Sequence, residues 1–157
     1  MKKFLVLDTS IAVIILVVDQ LVKQAIEKSN LGLHHSVLVQ DTIIPGILAV
    51  TKLHNNGAAW SIMAGQQWFF YIITTLALVA LGFAYYKFKN KLLFRLSLLI
   101  MIAGTLGNFI DRVRQGFVVD MFVLKFINFP VFNIADVALT VGVIGLFLSI
   151  LTDKEID

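Results

Sequence analysis

Two aspartates in the C-terminal part of the chain have the residue type and spacing for metal-free hydrolysis. Asp120 follows Val118-Val119, Asp136 lies 16 positions later, and a turn-like Asn128-Phe129-Pro130 lies between them. This length lets the chain fold back and bring the carboxylates together. Two adjacent carboxylates at low dielectric share a proton. One then acts as a base on water and the other as an acid. The pair therefore indicates peptide-bond hydrolysis.

An ordinary structural role stays open for each aspartate. Asp136 begins a long apolar run, and acidic residues are common at the start of a helix. Asp120 starts no obvious helix, so a capping role suits it less well.

A second set of polar residues has helical spacing. Gly104, Asn108, Asp111 and Arg112 lie at positions i, i+4, i+7 and i+8 and would share one helix face. The glycine allows close helix approach, and a structural polar network is the favoured interpretation for the amide and the acid. The planar guanidinium of Arg112 suits a substrate carbonyl or a lipid phosphate.

Two further features have both a structural and a functional interpretation. Asp19 and Lys23 are four residues apart, and we favour a simple helix ion pair. The segment Asn55-Asn56-Gly57-Ala58-Ala59 is either a hairpin turn or a small-walled groove for an extended peptide backbone.

The composition places these residues in a membrane protein. The chain is 59% hydrophobic and 15% charged, against about 25% charged residues in soluble domains. It contains no cysteine, which excludes a thiolate metal site and a cysteine nucleophile. His-Glu-x-x-His and Gly-x-Ser-x-Gly motifs are also missing from the sequence, so zinc and serine hydrolases find no support. The net charge of +3 fits basic loops beside membrane spans better than nucleic-acid binding.

Four apolar spans are predicted within one integral membrane domain, residues 1–157. They cover residues 4–22, 68–86, 92–110 and 136–151. A span of 19 residues at ~1.5 Å per residue covers about 29 Å, close to the ~30 Å hydrocarbon core. The charge-free part of the last span, 137–152, covers only about 24 Å. Bilayer thinning or snorkelling could absorb the difference. Otherwise Asp136 lies at or just inside the bilayer edge.

The ends of the spans indicate orientation and a site. Asp19, Asp111 and Asp136 lie at the same end of spans one, three and four, and Asp120 is expected in a loop on that side. Carboxylates at membrane depth usually mark function. Basic residues at 2–3 and 87–95 place the opposite end and both termini in the cytoplasm.

The region 30–67 is too long for a simple connection. It has β-prone stretches at 36–40 and 47–53, with turn signals at Pro45-Gly46 and Asn56-Gly57. The predicted fold is a mainly α membrane protein of four transmembrane helices. A small extracytoplasmic β-sheet lies between helices 1 and 2, on the membrane surface.

Five motifs together resemble the bacterial lipoprotein signal peptidase family, also called signal peptidase II. They are Asp19-Gln20-x-x-Lys23, Asn55-x-Gly57-Ala58-Ala59, Gly107-Asn108-x-x-Asp111-Arg112, Val118-Val119-Asp120 and Phe132-Asn133-x-Ala135-Asp136. The resemblance spans the chain in order. It implies an aspartyl endopeptidase of the bacterial cytoplasmic membrane that cleaves diacylglyceryl-modified prolipoproteins before the lipidated cysteine.

The resemblance also implies roles for individual residues. The catalytic dyad falls on Asp120 and Asp136, near the extracytoplasmic face. The family's β-cradle looks like region 30–67, and segment 121–129 is less patterned than the flanking motifs. The family is inhibited by the cyclic peptide globomycin, and we expect a monomer without metal or cofactor. Substrate and inhibitor contacts fall on Asn55, Gly57, Asn108, Arg112 and Asn133, and supporting structure on Asp19, Lys23 and Asp111.

Two other functions stay open on the residues alone. A small proton-coupled transporter could use the acids as a relay, although transporters often show internal repeats and broken helices near the midplane. A non-enzymatic membrane scaffold would use the acids only to pair with Lys23 and Arg112.

Overall fold

The described part of the chain forms four long helices and five short strands. The computed structural model describes residues 2–34, 37–57, 63 and 65–152, without the side chains of residues 2–6, 33–34 and 37–39. The helices are α1 Lys2–Glu27, α2 Gln67–Lys87, α3 Leu92–Gln115 and α4 Ile134–Thr152. The strands are β1 Gly32–His34, β2 Val37–Val39, β3 Asp41–Ile44, β4 Leu48–Asn55 and β5 Val118–Leu124. Each helix is long and apolar enough to cross a membrane, and the predicted fold class is confirmed.

Helices α3 and α4 pack closely because glycines line their contact. A Cβ atom added at Gly104 would lie 2.5 Å from the carbonyl oxygen of Ala135. Leu98 and Ala103 are buried on α3, and Ala138 on α4. The close helix approach expected at Gly104 is therefore present, and it fixes the start of α4 against the middle of α3.

Helix α3 is longer than the apolar run from which it was predicted. It continues past residue 110 to Gln115 and ends at Gly116, whose φ of 80° is left-handed. The N–H of Gly116 donates to the carbonyl oxygen of Arg112 at 3.0 Å, as is usual at a glycine C-cap. Residues 111–115 are thus helical, and Asp111 stays on the buried face of the helix.

The strands form two antiparallel sheets, β1–β2 and β3–β4–β5. Strand β5 lies between α3 and α4 in the chain and pairs with β4, placing Leu53 opposite Asp120. The expectation that Asp120 lies in a loop is therefore wrong. Strands β2 and β4 fall in the two β-prone stretches, while Ser36, Ala58 and Ala59 lie outside the described residues. We refer to the end of the helical bundle that carries the sheets as the sheet end.

A buried ionic cluster joins three helices at the opposite end. Asp8 Oδ2 lies 2.8 Å from Arg95 Nε and accepts a hydrogen bond from the hydroxyl of Tyr85 at 2.6 Å. Asp8 is only 1% exposed. An unpaired charge there would be costly, so this cluster ties α1, α2 and α3 together away from the candidate site.

Candidate active site

The structure brings Asp120 and Asp136 to one cavity of about 240 Å³ at the sheet end. Asp120 projects from β5, and Asp136 projects from the first turn of α4. Asp120 is only 2% exposed. The fold-back predicted from the 16-position spacing is thus present, although a strand rather than a loop carries the first carboxylate.

Asn133 lies between the two carboxylates. Its Nδ2 donates to Asp120 Oδ1 at 2.6 Å. Its backbone N–H donates to Asp136 Oδ2 at 3.1 Å, and the Asp136 N–H donates back to Asn133 Oδ1 at 3.0 Å. This reciprocal pair is a capping box at the start of α4. The capping role expected for Asp136 is therefore confirmed, and the same side chain also lines the cavity.

Two more amides complete the hydrogen bonding of the carboxylates. Asn55 Nδ2 donates to Asp120 Oδ2 at 2.8 Å, and Asn108 Nδ2 donates to Asp136 Oδ1 at 2.8 Å. Each of the four carboxylate oxygens thus accepts one hydrogen bond. The amides fix both carboxyl groups in position before any substrate arrives.

Burial has the largest effect on the pKa of Asp120. Removal from water raises its pKa to about 7, although hydrogen bonds from Asn55 and Asn133 and the charge of Lys23 act to lower it. The nearby carboxylate of Asp136 raises it further. A carboxyl group with a pKa close to neutral can both hold and release a proton at physiological pH.

Lys23 is the centre of the network behind the cavity. Its Nζ lies 3.0 Å from Asp19 Oδ2 and 2.9 Å from Asp111 Oδ2, and it donates to Asn108 Oδ1 at 3.0 Å. Lys23 is 3% exposed. The expectation of a simple helix ion pair is therefore too narrow, because the same ammonium joins α1 to α3 and orients Asn108 toward Asp136.

The two acids of this network also hold the backbone beside the cavity. Asp19 Oδ1 accepts from the N–H of Ala135 at 2.9 Å, and Asp111 Oδ2 accepts from the N–H of Val119 at 3.3 Å. Each acceptor thus fixes the residue that precedes a cavity aspartate. Gln20 donates to both acids, at 3.1 and 3.0 Å. Residue spacing alone assigns no role to Gln20, although it directly follows Asp19.

Arg112 contacts the protein's own backbone. Its Nη2 donates to the carbonyl oxygen of Gly57 at 3.0 Å, and its guanidinium lies 4.6 Å from the centre of the Phe70 ring. The N–H of Gly57 donates to Asn55 Oδ1 at 3.0 Å. Arg112 therefore fixes the turn that aims Asn55 at Asp120, and it also lines the cavity.

Part of the cavity lining is apolar, and it was not predicted from the sequence. The contributing side chains come from β5 and from the segment before α4, and they are Val118, Phe129, Pro130, Val131 and Phe132. The Asn128-Phe129-Pro130 turn was the one available signal, and it was used only as a connection. Among the described residues, no group of three or more His, Cys, Asp or Glu could hold a metal ion.

Comparisons with known proteins show which family and fold this chain resembles. A family model described as "Signal peptidase (SPase) II" matches residues 11–152. The lipoprotein signal peptidase of Lactococcus lactis subsp. lactis (strain IL1403) is 51% identical and covers 99% of each chain. The lipoprotein signal peptidase of Lactiplantibacillus plantarum is 48% identical over 92% of this chain and 94% of its own. A solved structure described as "Bacterial membrane enzyme structure by the in meso method at 2.3 A resolution" superposes with a TM-score of 0.87 at 38% identity, covering 97% of this chain and 92% of that one.

Proposed function

Because this chain belongs to the signal peptidase II family of aspartic peptidases, we propose that Asp120 and Asp136 are the dyad with which it cleaves lipoprotein signal peptides. The observation that carries the proposal is the shared hydrogen-bond partner Asn133, which contacts both carboxyl groups at one cavity. Cleavage occurs before the lipidated cysteine of a diacylglyceryl-modified prolipoprotein.

The dyad works with one shared proton. A water molecule between the carboxyl groups gives a proton to the ionised group as its oxygen attacks the scissile carbonyl carbon. The protonated group donates its proton to the carbonyl oxygen, which yields a tetrahedral diol. Proton transfer to the leaving nitrogen and collapse of the diol break the C–N bond. The pKa of about 7 at Asp120 supports a pair that holds one proton at neutral pH.

Depth in the membrane selects the substrate. The acyl chains of the precursor stay in the bilayer, so the modified cysteine is held near the membrane surface. Asp136 in the first turn of a membrane-spanning helix meets the scissile bond at that level. Specificity therefore comes from lipid anchoring together with polar contacts to the peptide. Those contacts come from Asn55, Gly57, Asn108, Arg112 and Asn133, and globomycin competes for the same cavity.

Orientation and assembly follow from the same reasoning. The basic residues of the α2–α3 connection lie at the end opposite the sheets, so that end and both termini face the cytoplasm. The dyad is then near the extracytoplasmic face of the bacterial cytoplasmic membrane. We expect the enzyme to work as a monomer, since one chain supplies both carboxyl groups and a hydrogen bond to each of their four oxygens.

A cleavage assay in lipid or detergent tests the proposal. Wild type is compared with Asp120→Asn and Asp136→Asn on a prolipoprotein carrying diacylglyceryl-cysteine. Asp41→Asn, in the exposed strand β3, is the matched control. We expect cleavage by wild type and the control and none by the dyad variants. Cleavage by folded dyad variants would overturn the mechanism, and equal cleavage of non-lipidated precursor would overturn the selection by depth.

The transporter and scaffold alternatives make opposite predictions. A folded wild type that cleaves no lipidated precursor would favour them. The acids gather at one end of the bundle rather than at its middle, which is a further reason to prefer the peptidase.

A further inference from the structure

An exposed cluster of large apolar side chains lies outside the helices. Its exposed fractions are 52% at Ile43, 44% at Ile44, 50% at Ile47, 62% at Phe126, 48% at Ile127 and 49% at Phe129. We call these six residues the apolar edge. Three belong to the β3–β4 hairpin and three follow β5.

Backbone hydrogen bonding places the two halves of the apolar edge side by side. The N–H of Lys125 donates to the carbonyl oxygen of Ile47 at 2.9 Å, and Leu48 pairs with Leu124. The hairpin turn and the segment after β5 are therefore neighbours, although about 80 positions separate them in the sequence. Soluble surfaces rarely expose so many adjacent large apolar groups, and such a patch marks an interaction site.

Strand β3 makes exposure to water still less favourable. It lies at the edge of the three-stranded sheet, and all four of its residues are exposed. A hydrophobic edge strand in water is an aggregation hazard that proteins normally block or cover.

The position of the apolar edge indicates what covers it. Phe129 packs edge-to-face on Phe132 at 5.9 Å between ring centroids. The next residue, Asn133, caps the membrane-spanning helix α4. With 19 residues, α4 is about 28 Å long, so its first turn lies at the boundary of a ~30 Å hydrocarbon core. Lys125, at the start of this segment, is exposed, and its Nζ donates to Gln40 Oε1 at 3.0 Å. A lysine beside an apolar patch is common at the headgroup boundary.

We propose that the apolar edge inserts into the bilayer leaflet at the sheet end and contacts phospholipid acyl chains at the headgroup boundary. Helix α4, which begins at Ile134, also exposes apolar side chains, with Val137 at 43% and Val141 at 51%. The sheet is thereby anchored in lipid as well as held by the helices.

Insertion has a consequence for the cavity, which rests on the proposed function. Phe129 belongs both to the apolar edge and to the wall of the dyad cavity. An inserted edge therefore opens the cavity at the depth of the lipidated cysteine, so that the modified residue reaches the dyad without leaving the bilayer.

Spin labels attached to single cysteines test the insertion directly, because the chain has no cysteine of its own. Ile44→Cys and Phe126→Cys report on the apolar edge. Asp41→Cys, on the same strand as Ile44, is the aqueous control, and Val141→Cys on α4 is the lipid control. Each labelled protein is placed in phospholipid vesicles, and accessibility to oxygen is compared with accessibility to a water-soluble nickel complex.

Insertion predicts that labels at residues 44 and 126 resemble residue 141, with an oxygen-to-nickel accessibility ratio severalfold above that at residue 41. Nickel accessibility equal to that at residue 41 would overturn the proposal. Protection from both reagents would overturn it too, because a second copy or another protein would then cover the edge. The measurement uses no substrate, so its outcome is independent of the peptidase assay.

Discussion

Asn133 and Asp136 exchange two hydrogen bonds across the first turn of α4. The Asp136 N–H donates to Asn133 Oδ1 at 3.0 Å, and the Asn133 N–H donates to Asp136 Oδ2 at 3.1 Å. The Nδ2 of the same asparagine reaches Asp120 Oδ1 at 2.6 Å. One side chain therefore fixes where the helix begins and how the two carboxyl groups face each other.

Substitutions at Asn133 separate the cap from the dyad contact. Asn133→Ser keeps an N-cap oxygen but loses the amide donor, whereas Asn133→Ala loses both. We expect Ala to be less stable than Ser by about 1 kcal/mol. Both should lower kcat about 10- to 100-fold, because a hydrogen bond to a charged group is worth ~1.5–3 kcal/mol. Thermal unfolding and cleavage rates measure the two effects. If Asn133→Ser cleaved substrate at the wild-type rate, the contact with Asp120 would not contribute to catalysis.

Buried Asp120 makes stability depend on pH in a known direction. Its folded pKa of about 7 lies above the ~3.9 of an unfolded aspartate. Between these values the folded protein keeps a proton that the unfolded chain has lost, so stability falls as pH rises through this window. The full effect is roughly 4 kcal/mol. Asp120→Asn removes this term, and its Tm relative to wild type should therefore rise from about pH 4 to about pH 8.

The control for this pH dependence is Asp41→Asn, which removes a carboxylate from an exposed strand. Its Tm should follow the wild-type trend with pH. An Asp120→Asn variant whose Tm difference from wild type is constant across the range would contradict the raised pKa.

Residue spacing predicted that Asp120 and Asp136 come together. It did not predict that a strand carries Asp120. Val118-Val119 and Met121–Leu124 flank Asp120 as a nearly continuous apolar run, and such a run predicts a buried strand. The expectation of a loop rests on the position of Asp120 in the connection between the third and fourth spans. What decides the structure is pairing with β4, about 65 positions away, and local patterning does not reveal such a partner.

The buried cluster of Asp8, Arg95 and Tyr85 could not be predicted from the sequence for a related reason. Its members are separated by 77 and 87 positions, and no local pattern links them. Helical periodicity places a residue on a face but does not say which faces meet. By contrast, the four helices were predictable, because an apolar run of ~20 residues has the length of a membrane-spanning helix and fits few other structures.

Lys23 should be more important for stability than any exposed lysine. Lys23→Met leaves Asp19 and Asp111 buried without a cation, and removing one partner of a buried pair costs about 3–5 kcal/mol. Lys125→Met, at an exposed site, should change stability by about 0.5 kcal/mol or less. Thermal unfolding in detergent measures both variants. The double variant Lys23→Met with Asp111→Asn should recover part of the loss, and a double variant less stable than Lys23→Met would contradict this charge-balance argument.

Two glycine substitutions test whether the α3–α4 contact determines the position of Asp136. At Gly104, an alanine Cβ would lie 2.5 Å from the carbonyl oxygen of Ala135, the residue before Asp136. The backbones must separate, so Gly104→Ala should cost about 1–3 kcal/mol and lower kcat by moving Asp136. Gly82→Ala is the matched control, because a Cβ there meets nothing within 4 Å, and it should raise stability by about 0.5–1 kcal/mol. Cleavage and unfolding assays on Gly104→Ala and Gly82→Ala measure both effects. Equal activity in both variants would mean that the helix contact does not position the carboxyl group.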